Sequence, residues 1–566
     1  MQTSFWRRHR WLLWTGGGIL VALAVLAITV MVLARRAEPF LRARIVAALS
    51  ERFHARVELD GFNLSLVSGQ HGEWGVWAEG RGLRIWPPAQ VEGVAVPAAP
   101  QPGKPLIQLD GFRFHAPLRY RPGVPVHVSE VRLTGLNVDL PPRSHFQHLG
   151  MISGASGAAS SSPSKTGTPL VSFKLDSIEC NGAHLVIETS KPGKLPTEIA
   201  IARFMLTGIT ADGAMNFDAE LTNPKPRGTV HTSGHFGPWQ VSDPGESPMV
   251  GDYHFDHADL SDFKGIAGML NSTGHYQGTL RNLTVDGETD TPDFRLSQFG
   301  NPVVLHTRFH AKVDGTNGDT WLDPVDATLG SSHFVARGQV VRLIAADAGG
   351  RLHSIGHDIA LKVNVDRARI EDFLRLTSRE PTPLLTGDVT LKTTLHIPPG
   401  PAPVHERLQL KGSFALDQAQ FTSAKVQSRI QELSLRGQGR PDDVKSANAA
   451  NVRSHMEGDF EMARGVLTLP ALEYAVPGAQ IELKGTYVVD GGALDFLGTA
   501  RMQATVSQMV GGWKGFLLKP ADRFFKKDGT GAQIPIHIRG TSKDPDFGID
   551  LDRLKSTSPQ QPGQPQ

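Results

Sequence analysis

The chain has 566 residues, with 58 Lys and Arg against 56 Asp and Glu, a formal net charge of +2. So balanced a charge gives no electrostatic case for nucleic acid as a partner, and the length is far above the size at which a core is hard to bury. Cys180 is the lone cysteine, which excludes an intramolecular disulfide and leaves it reading as a small buried hydrophobe.

The first feature in chain order is an uncharged run of 24 residues, Trp11 to Ala34, WLLWTGGGILVALAVLAITVMVLA. As a helix it would be about 36 Å long, enough to cross ~30 Å of hydrocarbon with some tilt. Arg7, Arg8 and Arg10 precede it and Arg35 and Arg36 follow directly. The apolar run exceeds the usual core of a cleavable signal, so it reads as an uncleaved signal anchor behind a short N-terminal segment, residues 1–10, which the family resemblance given below implies is cytoplasmic. Arginines on both sides leave the orientation undecided by charge.

Residues 35–143 begin with a helical pattern, Phe40, Leu41, Ile45, Ala48, Leu49 and Phe53, and then switch to alternation at Val57-Glu58-Leu59. The tetrapeptide LDGF occurs at Leu59–Phe62 and again at Leu109–Phe112, with a proline-rich loop, Trp86 to Pro105, between them. Residues 144–168 are a Ser/Gly-rich linker. Residues 169–403 are a middle region of alternating runs such as VVLHTRFHAKV and IALKVNVD, each strand-like. Glycine (60) and proline (39) suit many turns between short strands. No amphipathic helices alternate with buried strands, which disfavours a doubly wound parallel fold.

A unit recurs within these strands. FDHADLSDF at Phe255–Phe263 matches VDRARIEDF at Val365–Phe373, and a degenerate copy begins at Leu416-Asp417-Gln418-Ala419. The first two copies read as a strand, then D-x-A-x-[LI]-x-D-F, then a short helix, the aspartates suiting helix capping. The third copy leads into SAKVQSRIQELS, with Val426, Ile430 and Leu433 in helical register. Repetition of this kind points to an elongated, quasi-one-dimensional sheet.

No motif for catalysis is present: no G-x-S-x-G elbow, P-loop, G-x-G-x-x-G or kinase signature. His306 and His310 lie on a strand, about 13 Å apart along one face, too far to share a metal. The histidines read as polar-face residues, and neither catalytic activity, cofactor nor metal is expected.

Residues 404–555 contain the clearest two-faced pattern. Ile481, Leu483, Tyr487 and Val489 alternate with polar residues, and after Asp490-Gly491-Gly492 so do Leu494, Phe496, Met502 and Val506. This predicts a hairpin with one apolar face. The following segment, Gln508 to Gly529, sets Trp513, Phe516, Leu517, Phe524 and Phe525 at helical spacing among basic residues including Arg523 and Lys526. Such a helix suits a membrane interface with anionic headgroups, or a cap on the end of the sheet with its apolar side down, and the two are compatible. Residues 556–566 are a polar tail.

Three stretches, in this order, resemble the AsmA family: the anchor followed by PFLRARIVAALSERFHARVELDGFNLSL, then GVLTLPALEYAVPGAQIELKGTYVVDGGALDFLGTARMQATVSQ, then FFKKDGTGAQIPIHIRGTSKDPDFGIDL. The resemblance implies a bacterial inner-membrane protein with its bulk in the periplasm, related to TamB-like and bridge-like lipid transfer proteins. It implies a mainly β fold: a transmembrane helix, then an elongated, bent antiparallel sheet forming a taco-like groove, with short helices between strand groups. It also implies phospholipid or another acyl lipid as the bound partner and a role in outer-membrane assembly. The apolar hairpin residues are then the candidate groove lining. About two dozen strands at ~4.8 Å spacing would make a sheet on the order of 100 Å long. An alternative is an assembly factor that holds outer-membrane protein precursors by strand addition and moves no lipid.

Overall fold

The computed structural model describes residues between 39 and 550, apart from 51–55, 69–73, 87–104, 118–125, 141–172, 189–193, 210–212, 297–299, 446–451, 511–530 and scattered single or paired positions. The protein is mainly β, 68% of it in strands, with a few short helices. The expected anchor at Trp11–Ala34 lies outside the described residues; among those described, no helix is long and apolar enough to cross a membrane. The chain divides into two compact units. The first is Met1–Pro192, Pro196–Thr222 and His231–Gly251; the second is Gly193–Leu195, Asn223–Val230 and Asp252–Gln566.

In the first unit β1 (Val57–Ser68), β2 (Trp74–Ile85), β3 (Ile107–Pro117) and β4 (Val126–Leu140) form an antiparallel meander. The two LDGF copies do the same job in β1 and β3. Asp60 and Asp110 each lie against a glycine of the next strand, Gly82 and Gly135, both at positive φ. A Cβ on Gly82 would come within 2.1 Å of the Asp60 carboxylate, and one on Gly135 within 2.0 Å of that of Asp110. The glycines are therefore fixed twice, by backbone conformation and by the carboxylate above them. Leu59 and Leu109 of the same motifs are buried. As the spacing predicts, described residues between 39 and 50 are helical, and Ile45, Val46 and Leu49 pack on Val57, Leu59, Phe62 and Ile85.

One expectation fails here. β4 pairs in parallel with β5 (Phe173–Ile187), so the sheet is not wholly antiparallel. A parallel pair needs a crossover of a dozen or more residues, and the stretch between Leu140 and Phe173 supplies more than that. Cys180, on β5, is fully buried, and burial pushes its thiol up. β6 (Thr197–Thr207) pairs antiparallel with β5, and β7 (Met215–Pro224), β8 (Arg227–Phe236) and β9 (Pro248–Asp259) follow.

The second unit continues with β10 (Met269–Thr279), β11 (Asn282–Phe294), β12 (Val303–Val313), β13 (Thr320–Leu329), β14 (Ser332–Ala346), β15 (Leu352–Arg369), β16 (Leu385–Ile397) and β17 (Gln409–Phe421). After these come β18 (Ser454–Ala463), β19 (Val466–Val476), β20 (Ala479–Val488), β21 (Ala493–Met502), β22 (Ala532–Thr541) and β23 (Pro545–Ile549). Each pairs antiparallel with the next, and the sheet is curled. Helices α1 (Ile370–Thr377), α2 (Ala424–Gly437) and α3 (Val506–Val510) lie between strands.

The repeated D-x-A marks a β-bulge. In β15, Val365 pairs with Leu391 and Ala368 with Val389, three steps against two; Leu416 and Ala419 of β17 do the same against Met456 and Ser454. His257 and Gln418, the middle residues of the first and third copies, adopt φ of 55° and 52°. The alanine is buried in all three copies, at Ala258, Ala368 and Ala419. The first and third bulges face a glycine: a Cβ on Gly228 would lie 3.2 Å from the Ala258 Cα, and one on Gly387 3.2 Å from the Ala419 Cα.

The aspartates of the repeat depart from simple capping. Asp259 does cap, accepting from Ser261 N, but the element it starts is a single 3-10 turn, Leu260–Asp262. In the second copy the N-cap position of α1 is Arg369, with no side-chain cap. The final aspartate of each of these copies instead grips a neighbouring hairpin turn. Asp262 accepts from Arg227 N at 2.6 Å, and Asp372 from Ser331 N at 2.9 Å and Ser332 Oγ at 2.7 Å. In the third copy Ser423 caps α2 through Val426 N.

Asp372 is buried, so Asp372→Ala leaves those donors without an acceptor and is expected to destabilise the second unit by about 1–3 kcal/mol. The exposed Asp366→Ala should cost less than ~0.5 kcal/mol. Urea unfolding of the two variants checks the difference.

Candidate functional site

In an antiparallel pair, directly opposed residues share a face, so the registers identify what each face carries. One row can be followed without a break from β10 to β21: Tyr276, Val285, Ala311, Leu322, Gly338, Leu361, Leu395, Leu410, Met462, Leu467, Tyr487 and Leu494. It contains no charged residue. At the ordinary strand spacing it extends on the order of 50 Å. Apart from Ala311, which is buried, every residue of the row is half-buried. An apolar row of this length, neither covered nor fully in water, is the most distinctive surface of the second unit.

The opposite face is polar and paired across strands. His306 and His310 bond to Asp290 and Asp286, each at 2.7 Å, and Lys411 to Glu461 at 2.5 Å. Arg501 meets Glu482 at 3.0 Å, Arg539 meets Asp495 at 3.5 Å, and Arg337 meets Asp323 at 2.9 Å. The histidines read as polar-face residues therefore have carboxylate partners on the neighbouring strand.

Along the strands, protein closes one side of the row. Val365, Val389 and Leu416 are buried, with Ile370 and Phe373 of α1 packed against them. Nearer the C-terminus, α2 and α3 cover the face: Ile430 and Met509 belong to one buried cluster with Leu472, Tyr474, Ile481, Leu483, Phe496, Ala500 and Met502.

The eight candidate lining residues thus separate into three groups. Ile481, Leu483, Phe496 and Met502 are packed inside protein, and Tyr487 and Leu494 are half-buried members of the row that pack against the border of the same cluster. Val489 and Val506 are not on strands. β20 ends at Val488, and Val489 lies in the turn, its N–H donating to Gly465 O; Gly491 and Gly492 there have positive φ. β21 ends at Met502, so the alternation running on to Val506 is not a strand: Val506 opens α3 and packs from there against the buried cluster. The helical segment with Trp513, Phe516, Leu517, Arg523, Phe524, Phe525 and Lys526 lies outside the described residues.

Reasoning from the hairpin alone missed the rest of the row, from Tyr276 to Leu467. Bulges hide it, because each shifts the face by one residue. In β19 the apolar face is odd at Leu467 and Leu469 but even at Leu472 and Tyr474, with Pro470 between. In β13 it changes parity across Asp323-Pro324. Proline in a strand is found at edges, first positions and bulges, so Pro324 and Pro470, each inside a strand paired on both sides, were the signal. The comparisons with known proteins return nothing: no family model, no curated protein and no solved structure matches the chain.

Two outcomes follow from this layout. Phe496→Ala removes a packed ring and is expected to cost about 3–5 kcal/mol, read by chemical denaturation. On the polar face Asp417 Oδ1, 2.7 Å from His455 Nδ1, accepts a hydrogen bond from the imidazole and holds the histidine above its usual value. A raised folded pKa means that the stabilisation is full below about pH 6.5 and fades as pH rises through the folded value. His455→Gln should therefore lower Tm at pH 5 and have little effect at pH 9, by a small surface-screened amount.

Proposed function

We propose that this chain is an inner-membrane-anchored periplasmic protein of AsmA type that holds or conducts phospholipid along the apolar row, contributing to outer-membrane assembly and envelope lipid homeostasis. The observation that carries this reading is the uninterrupted, half-buried row from Tyr276 to Leu494, backed by a face of cross-strand ion pairs. Acyl chains lie on the row and headgroups stay in water; each CH₂ removed from water contributes about 0.8 kcal/mol, so binding needs no catalytic group. The uncharged stretch Trp11–Ala34 and the family resemblance supply the membrane and the compartment.

A second reading, a strand-adding assembly factor, draws on the C-terminal edge. Among the described residues β23 pairs only with β22, and Phe547 and Ile549 stand 56% and 51% exposed. An open edge with apolar side chains is a template for another strand.

Photoreactive residues distinguish the two readings. Placed at Leu361 or Leu395 in the full chain in cells, a photoreactive amino acid is expected to give phospholipid adducts by mass spectrometry, whereas Lys362 or Thr394 on the other face gives none. Protein adducts at Phe547 with no lipid at any row position would falsify the lipid reading. Leu361→Glu with Leu395→Glu should abolish lipid adducts elsewhere on the row while leaving the thermal transition within a few degrees, because both positions are half-open. Phe496 is unsuitable for this test: it is buried, and its ring stands 2.8 Å from where a Cβ on Gly485 would lie.

A further inference from the structure

The loop that leads into β10 meets the loop that leaves β16. Val404 N donates to Lys264 O at 3.1 Å. Between these loops the strands β10 to β16 are paired one after another. Laid flat at ordinary spacing, β10 and β16 would stand about 29 Å apart, so the contact closes the curl of the sheet into a ring. The apolar face is the inner one: α1, packed on Val365, Val389 and Leu416, also reaches Asn301 just before β12. The row from Tyr276 to Leu395 lies inside this ring.

The surroundings of the contact are firmly held. Before β16, Asn301 N donates to Arg375 O at 3.0 Å, and its side-chain amide donates to Ser378 O at 3.0 Å and Glu380 O at 2.9 Å. Along the border where β16 ends, the face-sharing pairs of β14 and β15 run out to Arg342 with His357. There Lys194 Nζ donates to Asp319 Oδ1 at 2.8 Å and to the Arg342 carbonyl at 2.7 Å, and Arg342 N donates to Asp319 Oδ1 at 3.1 Å. Asp314, Thr316, Asn317 and Asp319 are all buried in this knot.

The β16–β17 loop is built in another way. Pro398, Pro399, Pro401 and Pro403 restrict its backbone. Arg407 Nε donates to Ala402 O at 2.7 Å, and the same guanidinium donates to Pro398 O, stapling the loop to itself. Yet none of Val404–Arg407, the helical turn that ends it, is buried. On the facing loop Gly265 has a φ of 103°, and a Cβ there would stand 2.9 Å from Val404 N. Glycine is what lets the two backbones meet.

We propose that the β16–β17 loop is a latch on the apolar row, closed by the Val404–Lys264 hydrogen bond and opening as a stiff flap to admit an acyl chain sideways between β10 and β16. This rests on the lipid reading. A segment stapled to itself but unburied at its point of attachment opens as one body, because the opening breaks the attachment and leaves the loop's own bonds intact. Closed, the latch keeps a chain on Leu361 and Leu395 from leaving sideways, and movement follows the row.

Cysteines at Lys264 and Glu406, both exposed, carry spin labels or a reducible crosslinker, since Cys180 is buried. In the full-length purified chain Gly265→Ala is expected to move the labels apart. Gly350→Ala, also at positive φ but with nothing within 4 Å, should leave them in place. A distance unmoved by Gly265→Ala overturns the latch, whatever lipid does. With phosphatidylglycerol vesicles and a photoreactive residue at Leu361 or Tyr487, crosslinking should slow adduct formation at Leu361 about tenfold and reduction should restore it. Tyr487, on β20 beyond the latch, should react at an unchanged rate. Equal rates at Leu361 with and without the crosslink overturn the latch and leave the lipid reading standing. No adduct at either position in the uncrosslinked chain overturns the lipid reading, and the acyl gate with it, even where the labels move.

Discussion

Everything distinctive about this protein depends on register. A β-strand shows its two faces at a period of two, so slipping any pair by one residue would place ion-pairing side chains on the apolar row and leucines among the salt bridges. The row from Tyr276 to Leu494 exists because twelve successive strands keep their pairing in step. Hydrogen bonding alone does not select that step. The carboxylate–cation and carboxylate–histidine pairs do, together with the cost of exposing Leu416, Val365 or Phe496.

Bulges modify the register where a strand must bend or meet a helix, and the repeated D-x-A-x-[LI]-x-D-F unit joins the two tasks. Its alanine is buried at the bulge, and its final aspartate, where present, ties the new element to a hairpin turn built from distant sequence. The repeat is therefore structural in both copies that carry the second aspartate. Its consequence for the row is direct: behind the second copy α1 closes one border, and behind the third copy α2 covers the C-terminal part. What remains uncovered is a strip with a protein wall on one side and Arg342 and His357 on the other.

Much of this was legible beforehand. The strands, the two-faced hairpin with its glycine turn, α2 with Ile430 inward, the buried Cys180 and the LDGF repeat all follow from short-range patterns. These patterns depend on the side-chain period and on residues with special backbone freedom, both local properties. Errors came where local pattern and pairing diverge. Val506 continues an alternation after the strand has ended, Val489 already lies in the turn, Arg369 stands where an aspartate cap was expected, and β4 and β5 run parallel.

The sequence by itself determined that the protein is mainly β and that its strands have an apolar and a polar face, because period-two alternation needs no partner to be read. Only the tertiary structure decided which apolar residues are covered. Ile481, Leu483, Phe496 and Met502 face α2 and α3, while Tyr487 and Leu494, in the same hairpin and with the same alternation, stay half-open. It also decided that Lys194, Asp319 and the Arg342 backbone, far apart in the sequence, meet in one hydrogen-bonded knot. Coverage and clustering depend on contacts between segments far apart in the chain, and alternation along a single strand carries no information about what lies above it.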